Sequence, residues 1–483
     1  MTATRVPGPP GLPLIGSLLD LRRDALGTYL AAHRDHGDVV RVQAGPPGLR
    51  AELWMVFSPE GAQQVLATEA ANFRKDNVFY GEIRESFGNG LLTAQDADYL
   101  RQRRLVQPLF TRRRVDQYAD AIGTETAALA ARWAAGPGPG SDPGSGSGAG
   151  PGRTVDLGEE MNRFALRTVA RILFGQDVEE AVETVHHAFP VLNGFVRDRG
   201  FSPLRLPREW PLPGHRKALA AERALYEVCD GIIARRAAEG RGGDGNGDGD
   251  GGADDLLGLL AAARGEDGER LDATELREQV LIFLLAGHET TATSLTFALH
   301  LLGKHPEQQA RAHREAADLL ADGRRPTAAD YAELPYLTRV LKETMRLFPA
   351  APSIGRRAVA ATTVGGVEIP AGADVLVAPY VTHRHPAHWT DPERFDPDRF
   401  TPEREAARHR YAWFPFGGGP RACIGQHFSM LESVLSLAAL LRDFEVTAVD
   451  RDVPLGQGIT LELCGPVRVT LTPRGQWSGG VRG

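Results

Sequence analysis

Apolar residues recur at three- and four-residue intervals through most of the first 347 positions, the period that gathers them on one face of a helix. Residues 155–175, 213–239 and 256–264 read as helices on this pattern. So does a longer segment around the run VLIFLLAGHETTATSL, with Asp272 and Glu275 as a capping box at its start and Lys304-His305-Pro306 at its end. A further apolar run at helical spacing covers 428–441. Short β-prone runs stand at 39–42, 53–57, 364–369, 374–378, 444–449 and 467–472. The pattern predicts a mainly α protein with small β-sheets. Two stretches break it: 136–152 is Gly/Pro/Ser low complexity, and 240–255 is glycine with acids. Neither has anything to bury, and helical patterning resumes after each, so both read as flexible loops within one domain spanning 1–483.

Composition removes several classes of function. A net charge of −7 gives no electrostatic basis for a nucleic-acid partner. Three scattered cysteines (Cys229, Cys423 and Cys464) make no disulfide framework and suit a reducing, cytoplasmic location. The Pro/Gly-rich start has no apolar stretch near the length of a membrane anchor or signal peptide. Asp244, Asn246, Asp248, Gly249 and Asp250 follow calcium-loop spacing, but Asp255 stands where a bidentate Glu is needed and Gly251 where an apolar anchor is needed. A solvated linker is the better reading.

The chemistry concentrates at Phe414-Pro415-Phe416-Gly417-Gly418-Gly419-Pro420-Arg421-Ala422-Cys423-Ile424-Gly425. One cysteine sits in a glycine-rich loop ahead of a helix, with Phe416, Arg421 and Gly425 in register around it. A thiolate that ligates iron needs backbone N–H groups and the positive end of a helix aimed at it. The second feature is Ala286-Gly287-His288-Glu289-Thr290-Thr291, a glycine and four polar residues inside an apolar helix. A buried helix with Ser/Thr hydroxyls bonded back to the preceding turn would also explain it.

At these residues the chain resembles the cytochrome P450 family, the heme-thiolate monooxygenases, with motifs in the family's order over nearly the whole chain. The resemblance implies that fold, with heme b between the long distal helix and the Cys-loop with its proximal helix. Cys423 matches the iron ligand, with Phe416, Gly425 and Ala286 also against the heme. Arg421, Arg356 (preferred over Arg357) and Arg103 match the arginines that meet its carboxylates. Tyr99 stands where the family usually has Trp. Glu289 and Thr290 match the proton-delivery pair. Glu343, Arg346 and Arg394 match a structural salt-bridge triad. The substrate pocket falls by family position on 79–92, 350–354 and 457–460, with Phe79, Phe283, Ala286, Ile354 and Ile459 as contacts.

The implied activity uses dioxygen to hydroxylate or epoxidise an apolar small molecule, a terpenoid, fatty acyl or polyketide-like product of secondary metabolism. Only 473–483 follows the last hairpin, so a separate ferredoxin and NAD(P)H-dependent ferredoxin reductase are expected to supply electrons. They would dock at a surface ringed by Arg101, Arg104, Arg112, Arg408 and Arg410. The alternatives are peroxygenase, coupling or isomerase chemistry, or a non-catalytic heme-binding sensor. The remaining histidines, His186, His187, His383 and His385, read as surface or turn residues.

Overall fold

The long helix Ala273–Lys304 organises the molecule. Asp272 accepts the Glu275 N–H at 2.9 Å and Glu275 accepts the Asp272 N–H at 3.0 Å, closing the capping box; Pro306 starts the next helix. At 1.5 Å per residue its 32 residues span about 48 Å. It is long and apolar enough to cross a membrane by length and composition, yet 78% of its apolar window is buried inside the protein. Gly287 lets the helix Leu157–Phe174 approach it closely: a Cβ there would come 3.0 Å from the Val169 side chain. Other helices pack around this pair, among them Glu179–Gly200, Pro213–Glu239, Pro335–Leu347 and Gln426–Asp443. The computed structural model describes residues 7–475 except 47–49, 136–151, 176–178, 201, 203–204, 240–254 and 266–267.

The sheets are small. Strands β1 (Val39–Ala44), β2 (Ala51–Val56), β3 (Phe73–Arg74), β5 (Ile354–Ala358) and β8 (Asp374–Val377) form one sheet in the order β1-β2-β8-β5-β3. Only β2 and β8 pair in parallel; the other pairs are antiparallel. β4 (Arg153–Asp156), β12 (Arg468–Pro473) and β9 (Phe444–Ala448) make a second sheet. The run at 364–369 is a hairpin, β6 (Thr362–Val364) and β7 (Val367–Ile369), turned at Gly365 and Gly366, which both have positive φ. Residues 155–156, expected in a helix, belong to β4: Val155 pairs with Val469, and Asp156 caps the helix by accepting the Gly158 N–H. β10 (Leu455–Gln457) and β11 (Leu461–Leu463) form a separate hairpin.

Both low-complexity stretches, and with them the calcium-like spacing, lie almost wholly outside the described residues. The acid at its last position, Asp255, caps Leu256–Ala262 by accepting the Gly258 N–H at 2.7 Å and pairs with Arg236.

Beneath the long helix, Arg346 and Glu343 are fully buried and joined by two hydrogen bonds of 2.7 and 2.8 Å. Arg346 also donates to the carbonyls of His383, Pro392 and Arg394, and Glu343 accepts the Asp396 N–H. The third side chain of this network is Arg399, not Arg394. The Arg399 guanidinium is 3.3 Å from Glu343 and also holds the carbonyls of Thr390 and Asp391, whereas Arg394 is exposed and contributes only its carbonyl. The tight turn at Pro397–Phe400 brings Arg399 rather than Arg394 inward.

Stability should separate the two arginines. Arg399→Ala removes the charge beside a buried carboxylate and the donors of two carbonyls, and should cost about 3 kcal/mol in denaturant unfolding. Arg394→Ala removes an exposed side chain and should fall within about 0.5 kcal/mol of the parent. Equal effects would show that the pairing assigned to Arg399 contributes nothing.

Candidate active site

The cysteine loop is fastened from several sides. The Cys423 N–H donates to the Phe416 carbonyl at 2.9 Å, Tyr99 donates its phenol to the Pro420 carbonyl at 2.7 Å, and Arg103 reaches the Ala422 carbonyl at 3.2 Å. Gly417 and Gly419 both have positive φ, and a Cβ at Gly419 would lie 2.0 Å from the Leu66 carbonyl oxygen. Gly419 is therefore needed for packing against the helical turn Gln64–Thr68 rather than for approach to the sulfur. The Cys423 side chain is accessible, and it lines an internal cavity of about 320 Å³. Burial pushes its thiol pKa up, while the Gly425 N–H and the charges of Arg103 and Lys75 pull it down. Gly425 begins the helix Gln426–Asp443, so the first-turn amides lie beside the sulfur.

One wall of this cavity is cationic. Lys75, Arg103, Arg356 and Arg421 line it, and none of the four is paired with an acid among the described residues. Arg356 is 3% exposed and Arg421 leaves Nη1 buried without a partner, having given Nη2 to the Ala94 carbonyl. The Arg421 guanidinium stacks 3.6 Å over the Tyr99 ring. Alternation along β5 turns Arg356 inward and leaves Arg357 exposed, as expected. Buried cations without counter-charges call for an anionic ligand. Lys75 had no signal in the sequence: a single lysine between an arginine and an aspartate reads as surface, and only β3 and the following turn carry it inside.

The long helix forms the opposite wall and runs unbroken through Ala286–Thr291. Ala286 and Thr290 line the cavity, and the Thr290 hydroxyl donates to the Ala286 carbonyl at 2.9 Å. Glu289 is pushed up to about 8 by burial, with the Thr460 hydroxyl beside it pulling down and Glu462 pushing further up. Asn193 supports it from Glu179–Gly200: its Nδ2 lies 3.5 Å from the Glu289 carboxylate, and its Oδ1 accepts the Ile459 N–H at 3.1 Å. No sequence pattern marks Asn193. His288 points the other way, buried, held neutral by desolvation and hydrogen-bonded to the Leu284 carbonyl.

Above the thiol cavity lies a larger one of about 630 Å³. Tyr80, Ala286, Thr290 and Ile354 line both, so the two spaces adjoin. Phe79, Ile354 and Ile459 stand in its wall as expected, together with Phe87 and Phe189. Phe283 does not: it lines the thiol cavity and packs edge-on against Phe110, one helical step off the face that carries Ala286 and Thr290.

Two of the histidines read as surface or turn residues are buried, His383 within a turn. His383 is fully buried and accepts the Phe414 N–H at 2.9 Å, linking the Arg346 network to the cysteine loop. His385 shares Asp38 with His33, at 3.1 and 3.3 Å. The Ala387 N–H occupies Nδ1 of His385, which leaves the proton on Nε2 as a donor to Asp38 and makes this a hydrogen-bonded trio.

A helical fold of this kind, with a loop thiol facing a helix across a cation-walled cavity, defines a heme-thiolate protein. The Cytochrome P450 family model matches residues 6–462, and the chain belongs to that family. It is 34% identical over 467 residues to cyclooctat-9-en-7-ol 5-monooxygenase of Streptomyces melanosporofaciens, covering 96% of this chain and 95% of that one. It is 35% identical over 450 residues to pentalenene oxygenase of Streptomyces avermitilis, covering 92% of each. Among solved structures, the heme domain of cytochrome P450DA superposes with a TM-score of 0.83 at 28% identity, over 97% of this chain and 98% of that one. The protein is therefore a heme-thiolate monooxygenase, an oxidoreductase that takes electrons from redox partners and inserts one atom of dioxygen into its substrate. The unpaired cations and the accessible thiol fit heme, whose carboxylates and iron are complementary to them.

With its pKa near 8, Glu289 is protonated at neutral pH and can act as a donor. Coupled turnover should fall as pH rises through about 8, and Glu289→Gln should flatten that limb. The product-to-NAD(P)H ratio between pH 6.5 and 9 is the measurement. An unaltered limb in the variant would assign the ionisation elsewhere.

Proposed function

We propose that this chain hydroxylates a cyclic terpenoid at a heme carried on Cys423. The adjoining of the thiol cavity and the larger apolar cavity at Ala286, Thr290 and Ile354 carries this reading, because it sets a substrate-sized space directly against the thiol-bearing one. A predominantly apolar wall suits a rigid hydrocarbon skeleton. The relatives named for cyclooctat-9-en-7-ol and pentalenene favour ring systems over fatty acyl chains.

Bound heme supplies the activation of dioxygen. Cys423 would hold the iron, Gly425 and the first turn of its helix would stabilise the thiolate, and Lys75, Arg356, Arg421 and Arg103 would neutralise the carboxylates. Phe416 and Ala286 would flank the macrocycle. Glu289 would deliver a proton to the cavity and Thr290 would orient it, with Asn193 and Thr460 fixing the Glu289 carboxyl. Chemistry that needs no proton delivery would leave this buried, neutral acid without a use, which disfavours the peroxygenase, coupling and isomerase alternatives.

Electrons would arrive from a ferredoxin and its NAD(P)H-dependent reductase in the cytoplasm. Of the arginines expected to dock the ferredoxin, Arg101 is ion-paired with Glu275 and Asp98, and Arg408 lies half-buried over the Trp389 ring. Arg104, Arg112 and Arg410 remain exposed for an acidic partner.

Cys423→Ser should abolish the red-shifted Soret band of the reduced carbon monoxide complex, while Cys229→Ser and Cys464→Ser keep it. Loss of the band in either of the latter would refute the ligand assignment. Thr290→Ala should continue to consume NAD(P)H while releasing hydrogen peroxide in place of product; unchanged coupling would remove Thr290 from proton delivery. Reduction by a ferredoxin should slow steeply as the screening length shortens to about 8 Å at physiological salt, and Arg112→Glu should slow it further without changing substrate affinity. Salt-independent reduction would place docking elsewhere.

A further inference from the structure

The helix Val78–Phe87 supplies Val78, Phe79, Ile83 and Phe87 to the larger cavity, and one of its residues belongs to both spaces. That residue is Tyr80, which lines the thiol cavity as well. Its phenol lies on the cationic side: the hydroxyl hydrogen-bonds Arg356, and the Lys75 ammonium stands 5.0 Å from the ring centroid. Lys75, Arg356 and Arg421 line the thiol cavity and not the larger one. Tyr99 stands in the same cluster with Arg421 stacked on its ring, but the two phenols are committed differently. Tyr99 gives its proton to the Pro420 carbonyl. Tyr80 accepts from a guanidinium, which has no lone pair to offer in return, so its own proton has no acceptor among the described residues. A phenol proton left free among cations is complementary to an anion.

The start of this helix is fixed against the strand that carries Arg356. Asn77 caps it by accepting the Tyr80 N–H at 3.0 Å, and a Cβ at Gly355 would come 2.2 Å from the Asn77 amide. Farther along, the buried Glu82 pairs with Arg199 at 2.5 Å, tying the helix to Glu179–Gly200, which supplies Phe189 to the same cavity wall.

We infer that Tyr80 binds a heme carboxylate and couples the heme seat to the substrate space. Its hydroxyl donates to the carboxylate while accepting from Arg356, and the seated heme thereby holds Val78–Phe87 in place. A phenylalanine would fill the same volume but leave the carboxylate one donor short. The shape of the larger cavity then depends on a cofactor bound in the adjoining one. The inference rests on the heme seat and is independent of the terpenoid reading.

The test compares the heme-loaded full chain with its Tyr80→Phe variant, the carbon monoxide band confirming that each is folded and loaded. In ferric protein mixed with excess apomyoglobin, the variant should lose heme at least about tenfold faster, the worth of one hydrogen bond to a charged group. The propionate bending band in the resonance Raman spectrum should shift, which a change of packing elsewhere would not cause. Hydrogen exchange of the amides in Val78–Phe87 should quicken, while that in Gln426–Asp443 stays as in the parent. Heme loss within about twofold of the parent, or an unmoved Raman band, would overturn the carboxylate contact. Faster loss with unchanged exchange in Val78–Phe87 would overturn the coupling to the substrate wall. A parent protein without the thiolate band would refute the heme seat itself, and this inference with it.

Discussion

The buried Glu343–Arg346 pair is the constraint on which the active site depends. Two opposite charges with no solvent exposure must satisfy every donor and acceptor they carry, because an orphaned partner there is strongly destabilising. Arg346 does so by gathering the carbonyls of His383, Pro392 and Arg394, and Glu343 by taking the Asp396 N–H and the charge of Arg399. These are segments without regular structure that would otherwise have little to fix them. His383 then extends the network by one bond, accepting the Phe414 N–H at the start of the cysteine loop. The position of the thiol is thus tied through backbone hydrogen bonds to the helix Pro335–Leu347, whose Met345 also lines the cavity.

Electrostatics divides the cavity walls between opposite needs. Lys75, Arg356 and Arg421 are cations brought inside without acids, and burial drives the pKa of each downward. Glu289 is an acid brought inside without a cation among the described residues, and burial drives it up. Desolvation has reciprocal consequences for function here. The cations gain most from a ligand that carries negative charge, which makes heme binding and folding mutually stabilising. The acid stays protonated at neutral pH because no cation among the described residues pairs with its anion. An arginine within reach of Glu289 would stabilise the anion and remove that proton at neutral pH.

Much of this was legible in the sequence where the chemistry confines the residues to a short window. Cys423, Phe416, Arg421 and Gly425 lie within ten positions of one another, and Ala286, Glu289 and Thr290 share two helical turns, so spacing alone brings them together. The capping box and the end at Pro306 bounded the long helix for the same local reason. Arg394 was the wrong arginine because the choice depends on the tight turn at Pro397–Phe400, a non-local fold of a coil segment. Phe283 was misplaced by one helical face. Lys75 and Asn193 had no local mark at all, since what brings them to the thiol cavity and to Glu289 is tertiary contact. The hairpin β10–β11, with strands of three residues, is too short for its periodicity to be read.

The two cavities also differ in how they are built. The residues around the thiol are tied to backbone groups: Tyr99 to Pro420, Arg103 to Ala422, Arg421 to Ala94 and Cys423 to Phe416. Changing one of those side chains loosens the loop itself. The larger cavity takes its wall from the helix Val78–Phe87, the helix Glu179–Gly200, β5 and the β10–β11 hairpin, through side chains that mostly project into space. Exchange of Phe79, Phe189 or Ile459 alters the shape offered to a substrate without unsatisfying a buried polar group.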